Sequence, residues 1–125
     1  MTIFLAIDGD KVGAKLEVLL ITEKLDQATL FSLKVTSAIG KMVELIEQQQ
    51  GIIIFAGGDN IMAKFDELGD LDTIVNELGY SLNQIFFEVT GCTTSIGIGH
   101  RPRDAFLALK LAKGSDKSKL VDLRN

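Results

Sequence analysis

The chain is poor in the residues that form disulfides, rigid turns and membrane spans. It has one cysteine, one proline and no tryptophan, and its longest apolar runs, such as residues 3–7 and 52–56, fall far short of the ~20 residues that cross a bilayer. A single cysteine excludes an internal disulfide and favours a reducing compartment. The first apolar run has no basic residue before it and no cleavage site after it, unlike a signal peptide. We therefore predict a soluble, cytoplasmic protein.

The residues that are present are typical of one globular domain. Hydrophobic residues make up 46% of the chain and charged residues 24%, which excludes a disordered or collagen-like chain. No linker, internal repeat or low-complexity stretch divides the sequence, and its length is below that of an average domain of ~150 residues. We therefore predict a single domain over residues 1–125.

The net charge of −4 is unevenly distributed along the chain. Residues 1–100 carry six basic and fourteen acidic side chains, whereas residues 101–125 carry seven basic and three acidic ones. An acidic body beside a basic segment suits a site that holds cations next to a polyanion such as a nucleoside triphosphate. Lysines that only solvate the outer face of a helix and of a closing strand would give the same distribution.

The apolar spacing predicts the order β-α-β-β-α-β, followed by a further helix and a short edge strand. Strands are expected over residues 2–7, 52–55, 61–65, 93–98 and 119–123. After a turn at Gly13, a short helix over residues 15–21 precedes a long helix that starts near Thr22 and ends at Gly51. Two more helices are expected over residues 71–89 and 102–113. This order is that of the ferredoxin-like α+β fold and of polymerase palm domains.

The predicted topology brings three acidic residues to one edge of the sheet. A helical crossover makes strands 1 and 2 parallel, and the hairpin makes strand 3 antiparallel to strand 1, its neighbour in a ferredoxin-like sheet. Asp8 and Asp10 at the end of strand 1 should therefore lie beside Asp59, in the turn before strand 3. Carboxylates packed together repel one another unless a cation intervenes. With no histidine or cysteine nearby, such oxygen ligands favour Mg²⁺ or Mn²⁺.

Glycines flank these carboxylates in the way that nucleotide chemistry needs. Two metal ions would activate a ribose hydroxyl, bridge triphosphate oxygens and stabilise the leaving pyrophosphate. Gly57 and Gly58 permit positive φ and leave room for a ribose and phosphates. Gly9 and Gly13 bracket a turn, residues 10–12, whose free amides suit phosphate oxygens. Either motif alone is more typical of an ordinary turn than of a functional site, but both together at converging strand ends favour a metal site.

Two motifs carry a family resemblance: IDGDKVG at residues 7–13 and FAGGDN at residues 55–60. They resemble the palm domain of minimal CRISPR polymerases, stand-alone relatives of the large polymerase-like subunit of type III CRISPR complexes. More distantly, they are similar to those of GGDEF diguanylate cyclases. The segments TSIGIG at residues 94–99 and LKLAKG at residues 109–114 resemble the strand and helix that end those palms. The resemblance covers essentially the whole chain.

The resemblance implies an ATP-consuming, Mg²⁺- or Mn²⁺-dependent nucleotidyltransferase that makes a cyclic oligonucleotide, most simply cyclic di-adenylate, for antiviral signalling. It implies that Asp8 and Asp59 are catalytic metal ligands, that the Gly9 carbonyl is a secondary ligand, and that Asp10 is a catalytic or supporting acid. Lys113 and Lys117 would contact the β- and γ-phosphates. The nucleotide-binding residues that it implies are Gly9, Asp10, Lys11, Val12, Gly13, Gly57, Gly58, Asn60, Lys113 and Lys117.

The expected partners follow from the same resemblance and from the geometry of ring closure. Asn60, a neutral oxygen donor, stands where the cyclases carry an acidic residue, so it is not expected to be a full metal ligand. The helix has no clear counterpart of their guanine-reading residues, so guanine is not the expected base and ATP is the substrate that the resemblance implies. Cyclisation needs two nucleotides that face each other, which predicts a homodimer. The resemblance also implies an effector that senses the cyclic product. Neither a nucleic-acid template nor direct membrane contact is expected.

Less specific interpretations remain open at this point. Lys113 and Lys117 are also typical of solvated lysines at a helix end, and Ser95 on the fourth strand is either a core residue or a contact to base or sugar. A non-catalytic palm that binds ATP or a cyclic nucleotide as a regulatory ligand would use the same motifs. A ferredoxin-like interaction domain with no nucleotide role would show no Mg²⁺-dependent response to ATP.

Overall fold

The computed structural model describes residues 2–66, 71–114 and 120–124, with no side chains described for residues 71–74. Within these residues, five strands form one sheet and four helices pack around it. The strands are β1 (Thr2–Gly9), β2 (Ile52–Gly57), β3 (Asn60–Asp66), β4 (Thr94–Gly99) and β5 (Leu120–Asp122). The helices are α1 (Val12–Ile21), α2 (Leu25–Gln48), α3 (Leu71–Thr90) and α4 (Pro102–Gly114).

The strand order β2-β3-β1-β4-β5 confirms the predicted ferredoxin-like arrangement. β1 lies in the middle of the sheet, antiparallel to both β3 and β4, and β5 adds a parallel edge strand beside β4. The register places Asp8 opposite Asn60 of β3 on one side and opposite Ser95 of β4 on the other. The carboxyl end of β1 is therefore held between the β2–β3 turn and the start of β4.

The two faces of the sheet are covered by different helices, as the alternation along β1 requires. Ile3, Leu5 and Ile7 point to the face that α2 and α3 cover, and all three are almost fully buried. Ala6 points to the opposite face, where a smaller apolar cluster forms against α4. This second cluster fixes α4 across the sheet. The last turn of α4 therefore lies over the carboxyl end of β1. None of the helices in the described part of the chain has both the length and the apolarity needed to span a bilayer.

Two predicted helix boundaries are wrong. α1 begins at Val12, before Gly13, and the residue in the left-handed region is Lys11, with φ 60°. Thr22 does not start α2; its hydroxyl donates to the Val18 carbonyl at 2.7 Å and so closes α1. A threonine side chain can bond to backbone groups at either end of a helix, so its position in the sequence did not distinguish the two.

Candidate functional site

The site forms where the end of β1 meets the β2–β3 turn. The Gly9 amide donates to the Asp59 carbonyl at 3.0 Å, which fastens the turn to β1 and brings Asp59 next to Asp8. Gly58 has a φ of +57° and no atom would obstruct a side chain there. Gly57 lies in β2 without positive φ, and an added side chain would meet no atom there either, so both glycines leave the expected room above the turn. The turn is therefore open toward solvent above the two carboxyl groups.

Asp8 and Asp59 form a pair of interacting carboxyl groups. Burial raises the pKa of Asp59 from 3.8 to about 6, and the charge of Asp8 and a hydrogen bond between the two side chains add to the shift. A hydrogen bond from the Asp59 backbone and the charge of Lys113 act in the opposite direction. Two carboxyl groups close enough to share a hydrogen bond favour a bound proton or a bound cation, which is the situation that the topology predicts.

Asp10 is held below this pair and is only 5% exposed. Its carboxylate accepts hydrogen bonds from the hydroxyls of Thr93 and Ser95, both at 2.6 Å. Its amide donates to the Thr93 carbonyl at 2.8 Å, so it is not free for a phosphate. Ser95 is fully buried and does not face a base or sugar. This geometry fits a supporting role for Asp10 at the base of the site.

Lys113, in the last turn of α4, reaches across the sheet into the same group of oxygens. Its Nζ lies 2.8 Å from the Gly9 carbonyl, 3.1 Å from Asp8 Oδ2 and 3.4 Å from Asp10 Oδ1. It is therefore not simply a solvated lysine at a helix end. Lys117, the second predicted phosphate ligand, lies outside the described residues.

The turn after β1 leads directly into α1. Lys11 is the N-cap residue and is exposed, and Val12 and Gly13 form the first turn of the helix. The first amides of a helix have no partner within it, so residues 12–14 present N–H groups and the positive end of the helix dipole. Asn60 is exposed at the start of β3, opposite Asp8.

A cavity of about 220 Å³ opens beside Gly58 and Asp59, between α1 and α2. Most of its wall is apolar, formed by the side chains of Val12, Leu16, Phe31 and Val35. Two hydroxyl groups, those of Ser32 and Thr36, supply polar contacts on one side. The sequence did not identify Ser32 and Thr36, because on a helix of 24 residues they resemble ordinary surface positions next to the buried stripe.

The donor set fits a magnesium-like ion. It consists of the Asp8 and Asp59 carboxylates and the Gly9 carbonyl, all oxygen. Within residues 2–66, 71–114 and 120–124, no group of three or more His, Cys, Asp or Glu side chains is arranged to hold a metal. Mg²⁺ is commonly held by only one or two carboxylates together with the phosphates of a substrate. Two carboxylates and one carbonyl therefore match the kind of protein donor set that such an ion uses.

The raised pKa of Asp59 predicts how the stability of the protein depends on pH in the absence of divalent ions. The folded state binds a proton at Asp59 with a pKa of about 6, against 3.8 in the unfolded chain. This proton stabilises the fold fully below the unfolded pKa, and the contribution is lost as the pH rises through the folded pKa. The melting temperature of the wild type relative to Asp59→Asn should therefore fall between about pH 5 and about pH 7.5.

Thermal melts of both proteins across this pH range check the prediction, and a constant difference would contradict it. In saturating Mg²⁺, the melting temperature of the wild type relative to Asp59→Asn should instead rise with pH. Because the metal needs the ionised carboxylate, the stabilisation by Mg²⁺ should disappear as the pH falls through about 6.

Nearly the whole sequence matches one protein-family model. The sequence profile of the minimal CRISPR polymerase domain aligns with residues 4–123. A comparison with curated protein sequences finds no match.

Several solved structures share the fold at low sequence identity. A chain of the Csm1–Csm4 cassette in complex with cA4 aligns with 95% of this chain at 23% identity, with a TM-score of 0.66. This chain spans only 20% of that longer one. The GGDEF domain of DgcB from Caulobacter crescentus, in complex with c-di-GMP, aligns with 97% of the chain at 19% identity, with a TM-score of 0.59 and 77% of the domain covered.

The active GGEEF domain of a diguanylate cyclase from Vibrio cholerae aligns with 99% of the chain at 14% identity, with a TM-score of 0.64 and 83% of the domain covered. Identities this low establish the fold alone. The structural matches confirm the predicted palm architecture, which polymerases and cyclases share.

Proposed function

Because the chain belongs to the minimal CRISPR polymerase domain family, we propose that it is a Mg²⁺-dependent nucleotidyltransferase that converts ATP into a cyclic oligoadenylate. Cyclic di-adenylate is the simplest product. The observation that carries the proposal is the interacting pair Asp8 and Asp59 beside an open cavity, at the edge where a helix N-terminus also points.

The residues at this edge divide the work of phosphoryl transfer between them. Asp8, Asp59 and the Gly9 carbonyl would hold the metal, which supplies Lewis-acid stabilisation of the charge on the phosphates. The first amides of α1 and the ammonium of Lys113 would bind the triphosphate oxygens. Asp10, fixed by Thr93 and Ser95, would keep β1 and β4 in register below the metal.

Each step of the proposed reaction forms one phosphodiester bond between two nucleotides. A ribose hydroxyl oxygen of one ATP attacks the α-phosphorus of another, the bond from that phosphorus to the pyrophosphate oxygen breaks, and the hydroxyl proton passes to water. A second, equivalent step closes the ring. Two ATP molecules then give one cyclic dinucleotide and two pyrophosphate ions.

The cavity between α1 and α2 would offer two hydroxyl groups to an adenine base. The Thr36 hydroxyl donates to the Ser32 carbonyl at 3.2 Å, so its lone pairs are directed to accept from an amino group such as that of adenine. The Ser32 hydroxyl can donate to the adjacent ring nitrogen. The same pair of hydroxyl groups would also match O6 and N1–H of guanine, so the choice of ATP as the substrate rests on the family resemblance.

The site as described accommodates one triphosphate, so ring closure requires a second nucleotide from elsewhere. A symmetric homodimer whose two sites face each other would supply it. Antiviral signalling through an effector that senses the cyclic product completes the proposal. Support comes from structures of the same fold that were solved in complex with cA4, with one ATP or with c-di-GMP.

The test offers ATP, GTP, CTP and UTP together with Mg²⁺ and resolves the products by mass spectrometry. We expect a cyclic product that contains only adenylate, together with pyrophosphate, and none of it with Asp59→Asn. The absence of any such product from the wild type would contradict the proposal. Tight ATP binding without turnover would instead identify a regulatory palm.

A further inference from the structure

The ammonium of Lys113 lies among the same oxygens that would bind the metal. It donates to the Gly9 carbonyl at 2.8 Å and pairs with Asp8 Oδ2 at 3.1 Å. These are two of the three protein groups in the proposed metal-binding set. The third group is Asp59, and the charge of Lys113 lowers the pKa of Asp59. We infer that Lys113 competes with the metal for these oxygens. Its ammonium must leave them before a divalent ion can bind, and it is then available to the triphosphate.

Simultaneous binding of both cations is unfavourable for geometric and electrostatic reasons. A Mg²⁺ ion lies about 2.1 Å from each oxygen that it binds. Asp8 and Gly9 would then hold an ammonium and a divalent ion on the same atoms, where the two positive charges repel each other strongly. The ammonium is the more weakly held of the two, because it is a monovalent charge on a flexible four-carbon stem.

The position of Lys113 lets it move without disturbing the fold. It is the second-last residue of α4, and its side chain is about one-third exposed, at 32%. Asp10, which it also approaches, keeps its two hydroxyl donors, Thr93 just before β4 and Ser95 within it, when the lysine leaves. The released ammonium remains at the rim of the site, beside the space where the phosphates would lie.

This exchange would couple metal binding to nucleotide binding. The metal must displace the lysine, and the displaced lysine then strengthens the binding of the triphosphate. By reciprocity, a bound triphosphate that holds the lysine raises the affinity of the site for the metal. The inference rests on the proposed function, since it assigns a triphosphate to this site, but the competition itself can be measured without any nucleotide.

The decisive comparison uses Lys113→Met and a matched control, Lys110→Met. Lys110 lies one turn earlier on α4, is exposed, and places its ammonium 5.6 Å from the centre of the Phe106 ring, away from the carboxylates. Both variants remove one positive charge from the same helix. Mn²⁺ affinity is measured by electron paramagnetic resonance without nucleotide, and affinity for α,β-methylene-ATP is measured at saturating Mn²⁺.

We expect Lys113→Met to bind Mn²⁺ about tenfold more tightly than the wild type and the non-cleavable nucleotide about tenfold more weakly, within the usual range of coupling between sites. Lys110→Met should stay within about twofold of the wild type in both. Mn²⁺ affinity of Lys113→Met that equals that of the control, or that falls below the wild type, would overturn the inference. A purely structural lysine would weaken both ligands.

A measurement on the wild type decides the question if Lys113→Met does not fold. With ¹³C-labelled lysine, the Lys113 side-chain resonance should shift on addition of Mg²⁺ without nucleotide, while that of Lys110 stays in place. An unchanged Lys113 resonance at saturating Mg²⁺ would refute the exchange. These readouts are independent of turnover, so the inference can fail in a protein that makes the cyclic product and can hold in one that makes none.

Discussion

Asparagine in place of Asp59 should lower the rate of cyclic-product formation by about a thousandfold or more, because a metal ligand contributes several kcal/mol to the transition state. The same change should raise the melting temperature of the protein measured without nucleotide or divalent ions. The carboxylate is buried beside Asp8, and its raised pKa shows that its charge destabilises the folded state near neutral pH. A loss of activity together with a gain of stability is typical of a functional residue.

A matched control is available at the other end of β3, the strand that follows the Asp59 turn. Asp66 ends β3, where it accepts a hydrogen bond from Thr2, lies 3.7 Å from the Lys64 ammonium and is 53% exposed. Because an ion pair this exposed contributes little to stability, Asp66→Asn removes the same charge and should change neither the rate nor the melting temperature appreciably. If Asp59→Asn kept more than about a tenth of the wild-type rate, Asp59 could not be a ligand of the catalytic metal.

Alanine in place of Gly97 should destabilise the protein by about 3 kcal/mol or more. Gly97 lies in the middle of β4, where α4 crosses the sheet. An added Cβ would overlap the backbone of α4 at Ala105 and Leu109. Because these are backbone atoms, they cannot move aside as a flexible side chain would, and the helix would have to shift away from the sheet. Urea denaturation measures the change in the free energy of unfolding.

Gly40→Ala is the corresponding control. Gly40 lies inside α2, and an added Cβ there would meet no atom. Alanine should stabilise the helix at this position by about 1 kcal/mol. The two substitutions are chemically identical and have opposite expected signs. A Gly97→Ala protein as stable as the wild type would show that α4 is not packed on β4 as described. Any shift of α4 would also move Lys113, so the activity should fall together with the stability.

The sequence was informative wherever a regular pattern or the topology determines position. Alternation and helical spacing predicted the element order, and the ferredoxin-like order placed β1 beside β3. From that adjacency alone, Asp8 and Asp59 could be brought together across about fifty residues. The β5 edge strand was also predicted, and the structure confirms it as Leu120–Asp122.

The structure added what depends on side-chain contacts between elements. Thr93 and Ser95 support Asp10, and the signal for this was present. They are two residues apart, Thr93 directly before β4 and Ser95 within it, so their side chains point to the same side next to β1. Ser32 and Thr36 could not be identified, because nothing in their local sequence indicates that the helix lies against α1 and leaves a cavity. The position of Lys113 was predicted only as a phosphate contact, since its reach into the carboxylates depends on how α4 crosses the sheet.

The central claim is that Asp8 and Asp59 together hold the metal that serves a bound ATP. Crystals of the protein grown with Mn²⁺ and α,β-methylene-ATP test it most directly, because anomalous scattering locates manganese without assumptions about its ligands. The account predicts an anomalous peak about 2.2 Å from oxygens of both carboxylates and in contact with the phosphates. An ordered nucleotide whose manganese touches neither Asp8 nor Asp59 would contradict it.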